Sequence, residues 1–484
     1  MERTVTRETS DTPQLVSRRL FIGGSVAAVA ALSSAGTAAA ALSSSGTAVA
    51  AQMSPLAGAA SGGSGLKAGA GKAPIKITSA MLPSSDGFTT VHDDLYVRIV
   101  LLESDSRRYA IIVLDTTSVN DPSALAGLRA IATKVAGVAA ADTMITVTHN
   151  FSSPHLNGTA GLTGSELTKA KLYLEAVLTA TTTAVTDAVT ALRAARVGYG
   201  TGTADVNVNR NVLTAEGWWL GTGEEGPSDK SVRITRIDDL DGNPISILIN
   251  YNVQSSVMME SVMTDGALPI TADLAGAAVA HVEQQYGNGV VPLFLVGACG
   301  DQAPAFRSLR ATIDKDKKWS TIDAHDAGWL LLTVQGERLG TEVVRVAQAI
   351  DTATENAGSN LQLITGSFTA TEVKQSATNQ APTMHDAFTP DGTSAVPIWV
   401  LQVGDGVFVG LEPELSTNTA LAIMRDSPFK HTNVMSMFEG GAKNMPEAWD
   451  YENITYEALD SFYAEGTAEK AVAKARQLLN SLRG

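Results

Sequence analysis

Two of the chain's seven histidines fall in one short run, Thr148-His149-Asn150-Phe151-Ser152-Ser153-Pro154-His155. Imidazoles where a strand exits into a loop can bind a metal or move protons. Two loop histidines satisfied by the backbone are the bland alternative. A second cluster, Asp205-Val206-Asn207-Val208-Asn209-Arg210-Asn211, alternates amides and ends near an arginine. On a strand this sets donors on one face, with Arg210 able to clamp a carboxylate or an oxyanion. A polar edge strand would look the same. In Gly297-Ala298-Cys299-Gly300-Asp301-Gln302-Ala303-Pro304, an apolar run ends in a Gly-flanked turn. Such a turn lets backbone amides approach a ligand, or is simply tight. The fourth cluster, Gly410-Leu411-Glu412-Pro413-Glu414, puts Glu412 at the end of an apolar strand. That carboxylate can ligate a metal or act as a base, or be an exposed turn acid. His92, followed by Asp93 and Asp94, is either a proton-handling group or part of a salt-bridged loop.

The elements around these clusters are legible as runs. Tyr96 to Leu101 and Tyr109 to Leu114 are rich in β-branched residues and read as a hairpin. Met144 to Thr148 and Val290 to Val296 read as buried strands. Val232 to Ile237 and Ile245 to Tyr251 flank strong turn chemistry at Asp241-Gly242-Asn243-Pro244. Helical stretches are expected over Pro122 to Val138, Ser165 to Ala194, Asp273 to Tyr286, His325 to Ile350 and Gly466 to Leu482. Further strands fall at Leu361 to Ala370, Ile398 to Val403 and Val407 to Leu411. Strands alternating with helices imply a layered α/β fold, and the hairpins imply a mixed sheet. One large domain over residues 74–484 is the simplest reading.

The N-terminus reads as an address. Ser17-Arg18-Arg19-Leu20-Phe21-Ile22 precedes a moderately apolar, alanine-rich run. Residues 1–51 therefore read as a twin-arginine export signal, which brings the translocation machinery as a partner and a periplasmic or extracellular destination. Residues 52–73, rich in Gly, Ala and Ser, read as a flexible linker. The single cysteine, Cys299, allows no intrachain disulfide and reads as a small buried hydrophobe. A formal charge of −15 disfavours nucleic acid and anionic lipid as ligands. No later segment has the length and apolarity of a membrane span.

In this order, the clusters resemble the neutral, non-lysosomal ceramidase family from about Lys76 onward. The resemblance rests on His92 to Arg98, the Thr148-His149 segment, Asn207-Val208-Asn209-Arg210 and Thr271 to Gly276. The Gly300-Asp301 turn, Glu412-Pro413 and Tyr456-Glu457 complete it. It implies a zinc-dependent amide hydrolase, with His149 and Glu412 as metal ligands. It also implies changes at the site. The family's second histidine is replaced by Phe151, a zinc-binding histidine by Gln254, and a serine by Ala303. The family's tyrosine ligand should fall between Gly441 and Tyr451, where Asn444-Met445-Pro446 stands.

The resulting expectation is an exported, ceramidase-like hydrolase that cleaves amides but is not a true ceramidase. Its zinc site is rearranged, and its substrate is small or a polar polymer. His149, His155, Arg210 and Glu412 are the expected catalytic residues, with Gln254, Asn209, Asp301 and His92 on the substrate. A metal-free lyase or glycoside-cleaving enzyme, and a silent ligand-binding protein, remain as alternatives. They are separated by activity after chelation and by affinity without turnover.

Overall fold

The computed structural model describes residues 65–483 except 106, 288, 354–359 and 442. The export-signal reading and residues 52–64 of the expected linker lie outside the described residues.

An eight-stranded mixed sheet forms the centre. At one end, strand Val291–Val296 runs parallel to Pro244–Tyr251, which pairs antiparallel with Ser231–Asp239 and through it with Arg193–Thr203. At the other end, Lys67–Ile75 pairs with Leu95–Ser104, which makes the expected hairpin with Arg107–Leu114. Thr143–Val147 then adds in parallel. A second, four-stranded sheet contains Leu361–Gln375, Phe388–Val403, Gly406–Leu411 and His431–Met435.

Side-chain alternation along these strands creates the layers. Val97, Ile99 and Leu101 face a helical layer, whereas Val100 and Leu102 face the second sheet. The helical layer contains Pro122–Ala136, Gly164–Thr190, Asp273–Tyr286 and Gly328–Ala349. Phe408 likewise points back to the first sheet. Its neighbours Val407, Val409 and Leu411 point outward under the helices Thr417–Arg425 and Thr467–Arg483. Helices, sheet, sheet and helices therefore stack around three apolar clusters.

The expected linker is corrected at its C-terminal end, because Lys67–Ile75 is a strand inside the large sheet. Its Gly and Ala content has a packing cause. A Cβ added at Gly69 or Gly71 would lie 2.2 or 2.1 Å from the carbonyl oxygens of Ala188 or Ala184, in the helix Gly164–Thr190. The helix rests on bare backbone there. Gly71→Val is therefore expected to push that helix off the sheet, costing about 1–3 kcal/mol or more. The urea midpoint reads the cost, and an unchanged midpoint would refute this packing.

Candidate active site

Strand ends deliver the chemistry, as in other layered α/β proteins. His149 follows Thr143–Val147, Gln254 follows Pro244–Tyr251, Cys299 follows Val291–Val296, and Glu414 follows Gly406–Leu411. Backbone bonds tie these exits together. Ser255 N–H donates to His149 O at 3.3 Å, and Phe151 N–H donates to Ser255 O at 3.0 Å. Gly300 N–H donates to Leu415 O at 2.9 Å. A Cβ at Gly300 would stand 2.9 Å from Glu414 O, so the absence of a side chain lets Cys299 and Glu414 come together.

His149 is buried and adopts φ +52°, a backbone conformation unusual for a side-chain-bearing residue. Its Nδ1 lies 2.9 Å from Thr117 O. A carbonyl only accepts, so Nδ1 carries a proton and directs Nε2 toward Glu414. Nε2 stands 3.3 Å from Glu414 Oε1 yet has no hydrogen-bond partner among the described residues. Glu414 Oε2 accepts from Gln254 Nε2 at 2.7 Å and lies 4.0 Å from Cys299 Sγ. Burial alone would raise the Glu414 carboxyl; His149, Arg210 and Gln254 outweigh it and bring the group down to about 2. Burial pushes the Cys299 thiol up, and the Glu414 charge pushes it the same way.

Arg210 is buried beside this group. Its Nε donates to Glu457 Oε1 at 2.7 Å and its Nη1 to Gln254 Oε1 at 3.0 Å. Burial opposes its charge, but Glu457 and Glu414 prevail and hold it protonated. The Tyr456 ring lies 5.1 Å from the guanidinium, and burial raises its hydroxyl pKa, so it stays neutral. His149, Gln254, Glu414, Arg210 and Tyr456 all line one cavity of ≈ 1550 Å³. An imidazole, a guanidinium and a carboxylate thus share a pocket.

The carboxylate is not the expected one. Glu412 does not line this cavity; it sits near Glu439, and burial together with that charge pushes it up to about 7. The turn at Glu412-Pro413 sends the chain into a short bridge, Glu414–Leu415 with Asn444–Met445, and that bridge carries Glu414 to His149. His155 lines the cavity, but its ring pairs with Asp86 at 3.1 Å. Asn209 and Asp301 are corrected from the substrate to the scaffold, since neither lines the cavity. Asn209 holds Pro227 O and Asp301. Asp301 accepts from Thr417 N–H and hydroxyl at 3.0 and 2.8 Å, and burial pushes it up to about 7. His92 lies outside the cavity too, stacked on Trp329 with ring centroids 3.6 Å apart.

Solved structures share this architecture. Neutral ceramidase from Pseudomonas aeruginosa matches with a TM-score of 0.64 at 16% identity, over 86% of this chain and 74% of that one. A ceramidase complexed with C2 matches with a TM-score of 0.62, again at 16% identity and over 86% and 74% of the two chains. The chain has the neutral ceramidase fold. No family model matches it, and no curated protein does.

Within that ceramidase fold, the residues present suit a metal. The donor atoms of His149, Cys299 and Glu414 lie within 4.8 Å of one another. Nitrogen, sulfur and oxygen donors together suit zinc. The Thr117 carbonyl fixes the His149 tautomer as second-shell carbonyls do for metal-bound histidines. Cys299 and Glu414 are the members that sequence reading passes over; an apolar run around a lone cysteine signals only burial. Among the described residues, no helix is long and apolar enough to cross a membrane.

Proposed function

We propose that this protein is an exported, metal-dependent hydrolase that cleaves the amide bond of a polar N-acyl substrate, with His149, Cys299 and Glu414 holding zinc. One observation carries the reading. Three buried donor atoms, His149 Nε2, Cys299 Sγ and a Glu414 carboxylate oxygen, converge within 4.8 Å, with Nε2 and the carboxylate 3.3 Å apart. With Nδ1 committed to Thr117 O, a metal ion placed among the three would take the ring's Nε2, the thiolate and the carboxylate together.

Zinc bound there would supply Lewis-acid polarisation of the acyl oxygen and an activated water. The chain's own groups do the rest. Thr117 fixes the His149 ring, and Gln254 holds Glu414 in place through its amide. Each terminal nitrogen of Arg210 keeps an N–H beyond the bonds it makes, so the guanidinium can take charge developing on the acyl oxygen. Tyr456, kept neutral by burial, can donate its hydroxyl proton to the same end. Water adds to the acyl carbon, the C–N bond breaks, and the amine leaves with a proton.

Charged lining residues favour a polar substrate over a ceramide. Lys230, Arg307, Arg310 and Arg338 line the cavity beside Trp219 and Trp319. The paired arginines Arg18-Arg19 support export, and finding the mature chain in the cytoplasmic fraction would end that part of the reading.

A metal-free acid–base site at His149 and Glu414 has one observation of its own. Gln254 and the nearby Arg210 already satisfy Glu414 in part. Activity against a panel of N-acyl amino acids, before and after dialysis against a chelator, separates the two. The metal reading expects amine release that falls at least about tenfold on chelation and returns with zinc. Undiminished release refutes the metal. Release from none of the panel refutes the hydrolase.

A further inference from the structure

Arg307 is a cation on the cavity lining that makes no ion pair among the described residues. Its Nε donates to Ser256 O at 3.2 Å, and its Nη2 rests against Met259 Sδ at 3.2 Å. Its Nη1 has no hydrogen-bond partner among the described residues, and no carboxylate of theirs lies within 4.0 Å. Four other cations on the lining are paired. Arg210 holds Glu457 at 2.7 Å, Lys443 holds Asp460 at 2.7 Å, and Lys230 holds Asp205 at 3.0 Å, with Arg338 at 3.9 Å from Asp205. Arg310, on the same lining, has no ion pair among the described residues. Burial makes the Arg307 charge costly; Glu260 and Asp273 offset this only through space, while Arg210 adds to it.

A half-buried guanidinium lining a cavity, with a donor to spare and no carboxylate of the described residues within 4.0 Å, suits an anion that arrives from outside. The chain's net charge of −15 makes a local positive site the more necessary for attracting one. We propose that Arg307, on a lining it shares with Arg310, forms an anion-binding subsite that seats a carboxylate or phosphate of the substrate. As a statement about substrate it rests on the hydrolase reading, but anion binding at Arg307 is measured without turnover.

Calorimetric titration of the unmodified chain with benzoate, phenyl phosphate and neutral benzamide tests it. A charge-assisted bond contributes about 1.5–3 kcal/mol, so at least one anion should bind roughly 10-fold or more tighter than benzamide. The tighter of the two anions tells carboxylate from phosphate. Arg307→Gln should abolish that preference, and Arg307→Lys, which keeps the charge but loses the fork, should retain part of it. Glu414→Gln should lose turnover and keep the preference, which separates this site from the proposed chemistry. Equal binding of anions and benzamide overturns the subsite, a result the unmodified chain gives even if both variants fail to fold. An anion preference that survives in Arg307→Gln overturns it equally.

Discussion

Glu414→Gln is expected to lower kcat/KM for the cleaved N-acyl substrate by roughly 10³-fold or more. Lewis-acid stabilisation is worth several kcal/mol, and each 1.36 kcal/mol is a factor of ten. The substitution keeps the side chain's shape. A carboxamide oxygen at position 414 can still accept from Gln254, whose present bond is 2.7 Å. The thermal midpoint should therefore shift by only a few degrees, which separates lost chemistry from lost folding. The matching change at Glu412 is the control. Glu412 lies off the cavity and near Glu439, so Glu412→Gln should leave turnover close to wild type. A reversed pattern, with Glu412 essential and Glu414 dispensable, would return the acidic ligand to the position that sequence resemblance assigns.

Arg210→Ala should be the most destabilising substitution at the site. The guanidinium neutralises Glu457, which is fully buried, and it also acts on Glu414. Burial and the Glu457 charge also push Asp450, in the helix Ala448–Asn453, up, so this region already crowds buried acids. Removing one partner of a buried pair typically costs about 3–5 kcal/mol, because the other charge is left uncompensated. Guanidinium unfolding of Arg210→Ala is expected to show a loss of that size. Arg210→Met combined with Glu457→Gln should recover much of it, since replacing both partners removes the orphaned charge. Turnover should be lost in both proteins, because neither keeps a cation beside the acyl oxygen. A double substitution no more stable than the single one would mean that Arg210 packs rather than neutralises.

Much of the fold was legible because burial leaves a period. The Leu95–Ser104 and Arg107–Leu114 hairpin, the Thr143–Val147 strand and the helix Asp273–Tyr286 announce themselves through apolar runs and turns. Several strands, Arg193–Thr203 and His431–Met435 among them, did not, and two show why. Lys67–Ile75 carries Gly and Ala because a helix lies on its backbone, and those residues are also what a linker is made of. Phe388–Val403 was legible only from Ile398 onward, since its first half is polar, exposed and interrupted by Pro390 and Gly392. At the site, sequence reading named His149, Arg210 and Gln254, which line the cavity, but not Cys299 or Glu414 as members of the donor group. Glu412 and Glu414 are equally acidic neighbours of one strand end, and only the bridge to Asn444–Met445 distinguishes them. Asn209 and Arg210 are adjacent in sequence, yet one braces a turn and the other lines the cavity.

The central claim is that His149, Cys299 and Glu414 enclose a metal ion. Diffraction from crystals of the folded chain, recorded on both sides of the zinc absorption edge, tests it most directly. The expected result is an anomalous peak about 2.0–2.3 Å from His149 Nε2, Cys299 Sγ and a Glu414 oxygen, present above the edge and absent below it. A crystal grown with zinc that shows no peak there, and only a hydrogen bond between His149 and Glu414, would contradict it.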